Sequence, residues 1–394
     1  MPKIRKILEM SVFDKAIERM VAVYEAGHRV MVSFSAGKDS GICLEICRIA
    51  AKMADRLPVE VVMRDEEIMY PGTFEYAERI AAEPDIDFNW VYACQPIVNA
   101  YDRHKPYFWV FDPDLGPDQW VRQPPDFAYR IEHLNIQQIT IPARFPPPPG
   151  KELYNVMGLR AQESAVRLMG LFQSGGYVTK PNEFGVRGCR PIYDWKDGDV
   201  WKAIRDNKWD YNSAYDVMSR LGVRKTMLRI APPTMNAAGC KSLALAASAW
   251  PGWFEKVTHR LDGVRLAVNY GKRAIEPLRR RGETWEACYD RTCLRNAPEW
   301  IRPRAQAVKD IVLKRHNGHS PHALPEVAPC MTCMGNMGSW KRLAMAMYHG
   351  DPFCLKATFR RKGDKAKGKL PLDYIEPEFF KPGSGTWGGT PNFS

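Results

Sequence analysis

The sequence predicts an α/β protein, a doubly wound parallel sheet followed by a mainly helical, cysteine-rich region. Two observations lead to this fold class. Through the first half of the chain, short runs of β-branched and aromatic residues alternate with segments whose apolar residues have helical spacing. Beyond about Ala231 the alternation ends, and the remaining sequence is typical of helices, with cysteines and histidines between Cys288 and Cys354.

The amino-terminal elements follow one another as helix and strand in turn. Ser11 and Asp14 have the spacing of a capping box, which predicts the start of the first helix. The predicted elements are a helix over 11–27, a strand over 29–34, a helix over 41–53, a strand over 59–63, a helix over 73–82 and a strand over 88–92.

Residues 95–150 interrupt the alternation. The segment is rich in proline and aromatic residues, and it ends in Phe145, four prolines and Gly150. Proline prevents regular helix, and the segment is too long for a plain connection. We interpret it as an insertion at one edge of the sheet, where it serves either as a lid over a substrate or as a passive cover for the exposed edge.

Regular structure resumes after the insertion. The predicted elements are a strand over 153–158, a helix over 161–171, a hairpin over 177–190 and helices over 197–206 and 213–221. The sequence therefore predicts three parts. An α/β domain over 1–230 contains the insertion, a helical Cys/His-containing region covers 231–375, and a flexible tail covers 376–394.

Composition limits the class of protein. The 394 residues contain no apolar run of about 18 residues, the length that spans a membrane, and the first residues lack the pattern of a signal peptide. We therefore expect a cytoplasmic protein whose ten cysteines are thiols or metal ligands. The formal charge of +12 favours an anionic partner, a nucleotide or a nucleic acid, but it is equally typical of a basic surface that keeps a protein soluble.

The stretch Ser35-Ala-Gly-Lys-Asp-Ser40 lies where a predicted strand ends and a helix begins. The first N–H groups of a helix have no intrahelical acceptor, and the helix dipole places partial positive charge there. Ala36 and Gly37 keep the backbone accessible, Lys38 adds a cation, and Ser33, Ser35 and Ser40 offer hydroxyls. This is the chemistry of a pyrophosphate site without the spacing of a Walker A loop. The alternative is an ordinary strand-to-helix turn.

Four stretches in order resemble the PP-loop ATP pyrophosphatases, and among them the phosphoadenosine-phosphosulfate (PAPS) reductase-like branch. The loop after the first strand is similar to S-x-S-G/A-G-K-D-S, and RDEEIMYPGT over 64–73 follows the second strand. GLRAQES over 158–164, with Arg167, is similar to G-I/L-R-x-x-E-S-x-x-R, and RPIYDWKDGDVW over 190–201 is similar to R-P-I/L-x-x-W-x-x-x-D-V-W. The resemblance covers somewhat over half of the chain and implies an adenine nucleotide alpha hydrolase-like fold.

The resemblance also implies an activity and a set of site residues. Its members cleave ATP to AMP and pyrophosphate and adenylate an acceptor, which implies that ATP and Mg²⁺ are cofactors here. Lys38, Asp39 and Arg160 are the implied catalytic residues, and Asp39 and Asp65 the implied magnesium ligands. The implied ATP- and phosphate-binding residues are Ser33, Ser35, Ala36, Gly37, Lys38, Asp39, Ser40, Asp65, Gly158, Arg160, Glu163 and Arg167.

The acceptor is left open by the sequence. One interpretation is sulfur transfer or modification of a nucleic acid or nucleotide, with a sulfur donor or a ParB-like protein as partner. A second is sulfate assimilation, as the small subunit of a sulfate adenylyltransferase or as a PAPS or adenylylsulfate reductase, although the E-C-G-L-H motif of those reductases is absent. A third is a regulator that binds ATP or a nucleic acid without turnover.

The cysteine-rich region offers candidate metal ligands. Cys288, Cys293, Cys330 and Cys333 supply four thiolates, enough for tetrahedral Zn²⁺ or a 4Fe–4S cluster. His316, His319 and His322 lie between the two pairs and are able to replace sulfur. The sulfur-transfer resemblance favours a cluster over zinc. The alternative is that these cysteines are unpaired thiols and bind no metal.

Basic runs at 279–281 and 360–369 lie near Trp285, Trp300 and Phe359. This mixture binds phosphates and stacks bases in nucleic-acid-binding proteins, which gives a nucleic acid as a further candidate partner. The alternative is a solvated, charged face.

Overall fold

The computed structural model describes residues 10–131, 144–174, 176–182, 184–224, 228–230, 237–271, 275–330 and 338–352. The chain divides into two compact units. The first consists of Met1–Gln95 and Val110–Pro232, and the second of Pro96–Trp109 and Pro233–Ser394. Residues 96–109, within the predicted insertion, thus group with the second unit. The predicted tail and the basic run at 360–369 lie outside the described residues.

The described strands form two sheets. They are β1 (Arg29–Ser33), β2 (Val59–Asp65), β3 (Ile86–Tyr92), β4 (Gln95–Val98), β5 (Tyr107–Val110), β6 (Tyr129–Arg130), β7 (Leu153–Val156) and β8 (Val186–Cys189). Six of them form one sheet in the order β6-β3-β2-β1-β7-β8, and every pairing in it is parallel. β4 and β5 pair separately. The predicted α/β fold with a parallel sheet is confirmed.

Helices flank the parallel sheet in the first unit and make up most of the second. The helices of the first unit are α1 (Val12–Glu25), α2 (Lys38–Met53), α3 (Thr73–Ala81), α4 (Ala165–Ser174), α5 (Asp197–Asn207) and α6 (Ala214–Arg220). Those of the second are α7 (Ala237–Ala249), α8 (Pro251–Arg260), α9 (Val264–Tyr270), α10 (Trp285–Tyr289), α11 (Ile301–Asn317) and α12 (Trp340–Met347). No helix in the described part of the chain is both long and apolar enough to cross a membrane.

The strands of the sheet are buried on both faces, as parallel strands usually are. On β1, Val30 and Val32 join the large core formed with α1, α2, α3 and α5, whereas Met31 points to the other face. There Met31 packs with Val62 and with Phe145 from the insertion. This alternation follows from the two-residue repeat of a strand. The alternation also determines which face each side chain at the carboxyl end of a strand points to.

Three local differences from the predicted elements affect the site. Helix α2 begins at Lys38 rather than at 41, because Gly37 has extended dihedral angles and serves as its N-cap. The insertion contributes β6 to the sheet edge beside β3. The predicted hairpin contains one antiparallel bridge, Val178 to Cys189, and its second half becomes β8, parallel to β7.

The second unit has its own core around α10, α11 and α12. A π-helical turn, Asp290–Arg295, continues α10, and its Cys293 is fully buried with Ile301 and Leu343. Leu324, in the loop after α11, is also buried there. This loop is thereby held against the helices on either side of it in sequence.

Candidate functional site

The strand order places the candidate site at the centre of the sheet. From β1 the chain continues through β2 and β3 on one side, and β7 and β8 lie on the other. β1 and β7 are hydrogen-bonded neighbours, with Val32 opposite Val156. Open parallel sheets bind ligands beyond the carboxyl ends of the strands where the strand order reverses. The loop after β1 and the turn after β7 both lie at this position.

The loop after β1 is held by hydroxyl groups. Ser33 Oγ donates a hydrogen bond to Asn155 Oδ1 at 2.7 Å, which joins the ends of β1 and β7. Ser40 Oγ accepts from the backbone N–H of Ser35 at 3.2 Å and donates to the carbonyl of Gly37 at 3.0 Å. These contacts close the loop on the first turn of α2, whose first N–H groups have no acceptor within the helix.

Gly158 allows the turn after β7 to approach α2 closely. A Cβ atom at this position would lie 2.6 Å from the carbonyl carbon of Asp39 and 2.8 Å from the backbone nitrogen of Ser40. Both atoms belong to backbone, which cannot swing aside as a flexible side chain can. A glycine is therefore required for this packing, which brings Arg160 next to the loop.

Four charged side chains form one network beside the loop. Arg160 donates through Nε to Asp39 Oδ1 at 2.6 Å and through Nη2 to Asp197 Oδ1 at 2.7 Å. Lys38 Nζ donates to Asp39 Oδ2 at 3.0 Å and lies 3.7 Å from Asp197 Oδ1. Lys38 and Arg160 are only 5% and 3% exposed, so their charges require the two carboxylates in the absence of another anion.

Two further arginines extend the positive charge around the network. Glu163 accepts from the backbone N–H of Arg160 and pairs with the guanidinium of Arg167, four residues later. Burial, followed by the positive charge of Arg229, lowers the pKa of Arg167, while Asp39 opposes that shift. The arrangement gathers several cationic side chains beside the loop, where they attract anions.

Asp65 is fully buried and occupied by structural contacts. Oδ2 accepts from Trp90 Nε1 at 2.9 Å and pairs with Arg122, and Oδ1 accepts from the backbone N–H of Glu67 at 2.9 Å. Burial raises the pKa of Asp65, and the charge of Arg122 opposes that rise. These contacts join the end of β2 to the insertion.

Two residues that hold the loop were not identified from the sequence. Tyr215 Oη accepts from the backbone N–H of Lys38 at 2.9 Å, and burial raises the pKa of this tyrosine. Asn212 is fully buried and donates to the carbonyl of Ala36 and to Thr73 Oγ1, both at 3.0 Å. The sequence predicts only a helix over 213–221 here, and no motif in it signals contact with the loop.

Asp197 and Asp199 both lie at the start of α5, where an aspartate usually caps the helix or interacts with its dipole. Asp199 does accept from the backbone N–H of Lys196 at 2.7 Å at the start of α5, whereas Asp197 binds Arg160 and Lys38. Trp195 lies in the core and Trp201 packs against it.

Of the four cysteines predicted as metal ligands, two are buried in the core and one lies beside two histidines. Cys288 and Cys293 are buried; burial raises the pKa of Cys293 to about 12 and also raises that of Cys288. Within the described residues, the side chains close enough together to hold one metal ion are His316, His319 and Cys330. Cys288 and Cys293 do not belong to this group. Cys333 lies outside the described residues. The described residues therefore leave the choice between zinc and a 4Fe–4S cluster untested.

Comparison with known proteins gives one relative over most of the chain. No protein-family model matches. The Escherichia coli (strain K12) protein named Uncharacterized protein YbdN is 24% identical in an alignment 403 positions long, which covers 92% of this chain and 96% of that protein.

Solved structures with partial similarity include three enzymes. Candida glabrata FMN adenylyltransferase has a TM-score of 0.34 at 11% identity and covers 54% of this chain, which spans only 62% of that enzyme. PAPS reductase from Candida auris, in a phosphate complex, has a TM-score of 0.32 at 13% identity, with 57% and 89% of the two chains covered. The U34-tRNA thiolase NcsA from Methanococcus maripaludis, with its 4Fe–4S cluster, has a TM-score of 0.31 at 12% identity, with 66% and 79% covered. With TM-scores of this size, the likenesses add no argument to what the loop and its charged partners show by themselves.

Proposed function

We propose that the chain binds ATP at the loop after β1, cleaves it between the α and β phosphates, and transfers the adenylyl group to an acceptor. The observation that carries the proposal is the buried network of Lys38, Arg160, Asp39 and Asp197 beside the first turn of α2. Buried cations next to helix N–H groups form a site for a polyphosphate.

In this proposal, Lys38 and Arg160 change partners when ATP binds. Without ATP, each of them forms ion pairs with the carboxylates of Asp39 and Asp197. The triphosphate draws Lys38 Nζ towards the β and γ phosphates, where its charge stabilises the leaving pyrophosphate. Arg160 leaves its two carboxylates, and together with Arg167, which is paired with Glu163, it binds phosphate oxygens by forked hydrogen bonds. The acceptor supplies the attacking oxygen, so no nucleophilic side chain is required.

The carboxylate of Asp39 fits a magnesium site and that of Asp65 does not. Asp39 lies in the loop network and keeps 17% of its side chain exposed. Asp65 has no exposed surface, and an indole and a backbone N–H hold its two oxygens, whereas the oxygens of Asp39 are bound by Lys38 and Arg160, which move to the phosphates in this proposal. Mg²⁺ usually binds through one or two carboxylates together with substrate phosphates. We therefore assign Asp39, and not Asp65, to Mg²⁺, which when bound would neutralise charge on the phosphates.

The acceptor belongs to sulfur transfer or to modification of a nucleic acid or nucleotide in this proposal. The exposed arginines at 279–281 and the net charge of +12 support a nucleic-acid acceptor. A ParB-like protein or a sulfur donor remains the proposed protein partner, and the cytoplasm the proposed compartment.

The test is the identity of the products. The protein is incubated with ATP, Mg²⁺ and acceptors of each class, which are sulfate, nucleotides, tRNA and duplex DNA, and AMP and pyrophosphate are separated from ADP and phosphate. We expect AMP and pyrophosphate with one class of acceptor, and loss of about 10²–10³-fold in rate for Lys38→Ala, since it removes a group that stabilises developing charge.

Lys52→Ala is the matched control, because Lys52 is an exposed residue in the last turn of the same helix. It should keep the wild-type rate. Formation of ADP and phosphate would contradict cleavage between the α and β phosphates. Stoichiometric binding of ATP with no product from any acceptor would instead support a regulator.

A further inference from the structure

We infer that His316, His319 and Cys330 bind a zinc ion in the second unit. The ligand atoms of these three side chains all lie within 4.8 Å of one another. Around a tetrahedral zinc ion with Zn–N of about 2.0–2.1 Å and Zn–S of about 2.3 Å, neighbouring ligand atoms are about 3.3–3.8 Å apart. The three side chains therefore need only small movements to share one ion. The inference does not depend on the proposed reaction with ATP.

The end of α11 positions the two histidines. His316 is in the last turn of the helix, and its carbonyl accepts from the backbone N–H groups of His319, at 3.1 Å, and Ser320, at 2.9 Å. This turn folds His319 back over the helix end, and the two imidazole rings lie 5.7 Å apart. The carboxyl end of a helix carries partial negative charge, which favours a bound cation.

A hydrogen bond fixes the tautomer of His316. Its Nε2 lies 2.8 Å from the carbonyl oxygen of His322, and a carbonyl can only accept, so Nε2 carries the proton. Nδ1 is then the nitrogen that a metal ion would bind. Histidines that bind metals commonly donate their other N–H to a carbonyl, which holds the ring in orientation. His316 is 1% exposed, so its ring is also fixed by packing.

Cys330 comes to the histidines from the far end of the following loop. Its backbone N–H donates to the carbonyl of Gly338 at 2.9 Å, and Leu324 earlier in the loop is buried in the core of the second unit. His319 is exposed and Cys330 half-buried, so an ion has a path from solvent. An ion at this position would join α11 to the loop that precedes α12.

The donor set favours a borderline-soft metal such as zinc over the hard cations. Two imidazoles and a thiolate combine nitrogen and sulfur ligands, a mixture typical of zinc, whereas Mg²⁺ and Ca²⁺ prefer oxygen. Cys288 and Cys293, which the sequence placed in the ligand set, are buried outside this group, and Cys333 lies outside the described residues, so the inference uses none of them.

The test measures metal content in the full chain, purified without a histidine tag. We expect one zinc per chain and no stoichiometric iron or sulfide. His319→Ala alters an exposed side chain and should fold normally, yet it should weaken zinc binding by about tenfold or more, as should Cys330→Ser. His322→Ala is the matched control, because His322 is exposed and contributes only its backbone carbonyl to His316. It should bind zinc as the wild type does.

Cobalt substitution supplies a second readout. The Co²⁺ form of the wild type and of His322→Ala should show a thiolate-to-metal charge-transfer band, and Cys330→Ser should lose it. A folded wild-type protein without zinc, iron bound with sulfide, or a charge-transfer band that survives in Cys330→Ser would each overturn the inference. Because none of these measurements involves ATP, they stand apart from the outcome of the product assay.

Discussion

Gly158→Ala tests whether the close approach of β7 to α2 shapes the site. The added methyl group would lie 2.6 Å from the carbonyl carbon and 2.7 Å from the carbonyl oxygen of Asp39, and 2.8 Å from the nitrogen of Ser40. The backbone of Gly158 does not have a positive φ, so alanine meets no dihedral strain there. Its whole effect comes from the collision with the first turn of α2.

The size of the effect follows from these distances. Ordinary van der Waals contact begins at 3.4 Å, so the first turn of α2 must retreat by about 0.8 Å from the new methyl group. Overpacking of this kind costs about 1–3 kcal/mol of unfolding free energy. In the proposed reaction, a displacement approaching 1 Å at Lys38 and Asp39 would lower the rate by up to about 10²-fold.

Urea unfolding and pyrophosphate release measure the two effects. Gly252→Ala is the control, because it makes the same chemical change in α8 where nothing lies within 4 Å of the added atom. It should be neutral or stabilising by up to about 1 kcal/mol. A Gly158→Ala protein with the stability of Gly252→Ala and the wild-type rate would refute the reasoning.

Three other predictions concern stability, pH and salt. Asn212→Ala leaves the buried carbonyl of Ala36 without its donor and should lower the free energy of unfolding in urea by about 1–3 kcal/mol. The control, Asn207→Ala, loses one hydrogen bond to the carbonyl of Ala203 at the helix surface and should lower it by less. Equal losses in the two variants would contradict the prediction. Arg291 lowers the pKa of Glu283 from 4.5 to about 2, so the pair stabilises the second unit above pH 4.5 and this contribution is lost as pH falls towards 2. Glu283→Gln should remove that part of the pH dependence of unfolding. An unchanged acid-unfolding profile in this variant would refute the prediction. If duplex DNA binds the exposed arginines at 279–281, replacing all three by alanine should reduce the slope of log K against log salt concentration by up to about 2.7, and an unchanged slope would exclude them from the contact.

The fold was predictable because its signals are local. β-branched runs and helical spacing are properties of short segments, so the alternation of strands and helices is visible without tertiary information. β6 has two residues and joins the sheet only by pairing with β3, and no sequence pattern marks so short a strand. The sequence predicts β8 as the second half of a hairpin. Its parallel pairing with β7 is a tertiary contact that local sequence does not show.

The candidate site was predictable as far as its residues are contiguous. The loop from Ser33 to Ser40 and the segment from Gly158 to Arg167 each carry their chemistry in one short stretch. Asn212 and Tyr215 act on the loop from more than 170 positions away, and the sequence contains no record of that contact. The sequence also offered His316, His319 and Cys330 as candidate ligands, but it did not reveal the turn at the end of α11 that brings the two histidines together.

The conformation of Ala36 connects these distant residues to the proposed function. Its φ of 52° is left-handed, which costs an alanine about 1–2 kcal/mol relative to the usual regions. The strain persists because Asn212, itself bonded to Thr73 and to the backbone N–H of Ala214, holds the carbonyl of Ala36, and because Tyr215 holds the next turn at Lys38. Contacts from α3 and α6 thus fix the loop before any ligand arrives. A polyphosphate that binds there does not have to order the loop, and more of its interaction energy is available to stabilise charge in the transition state.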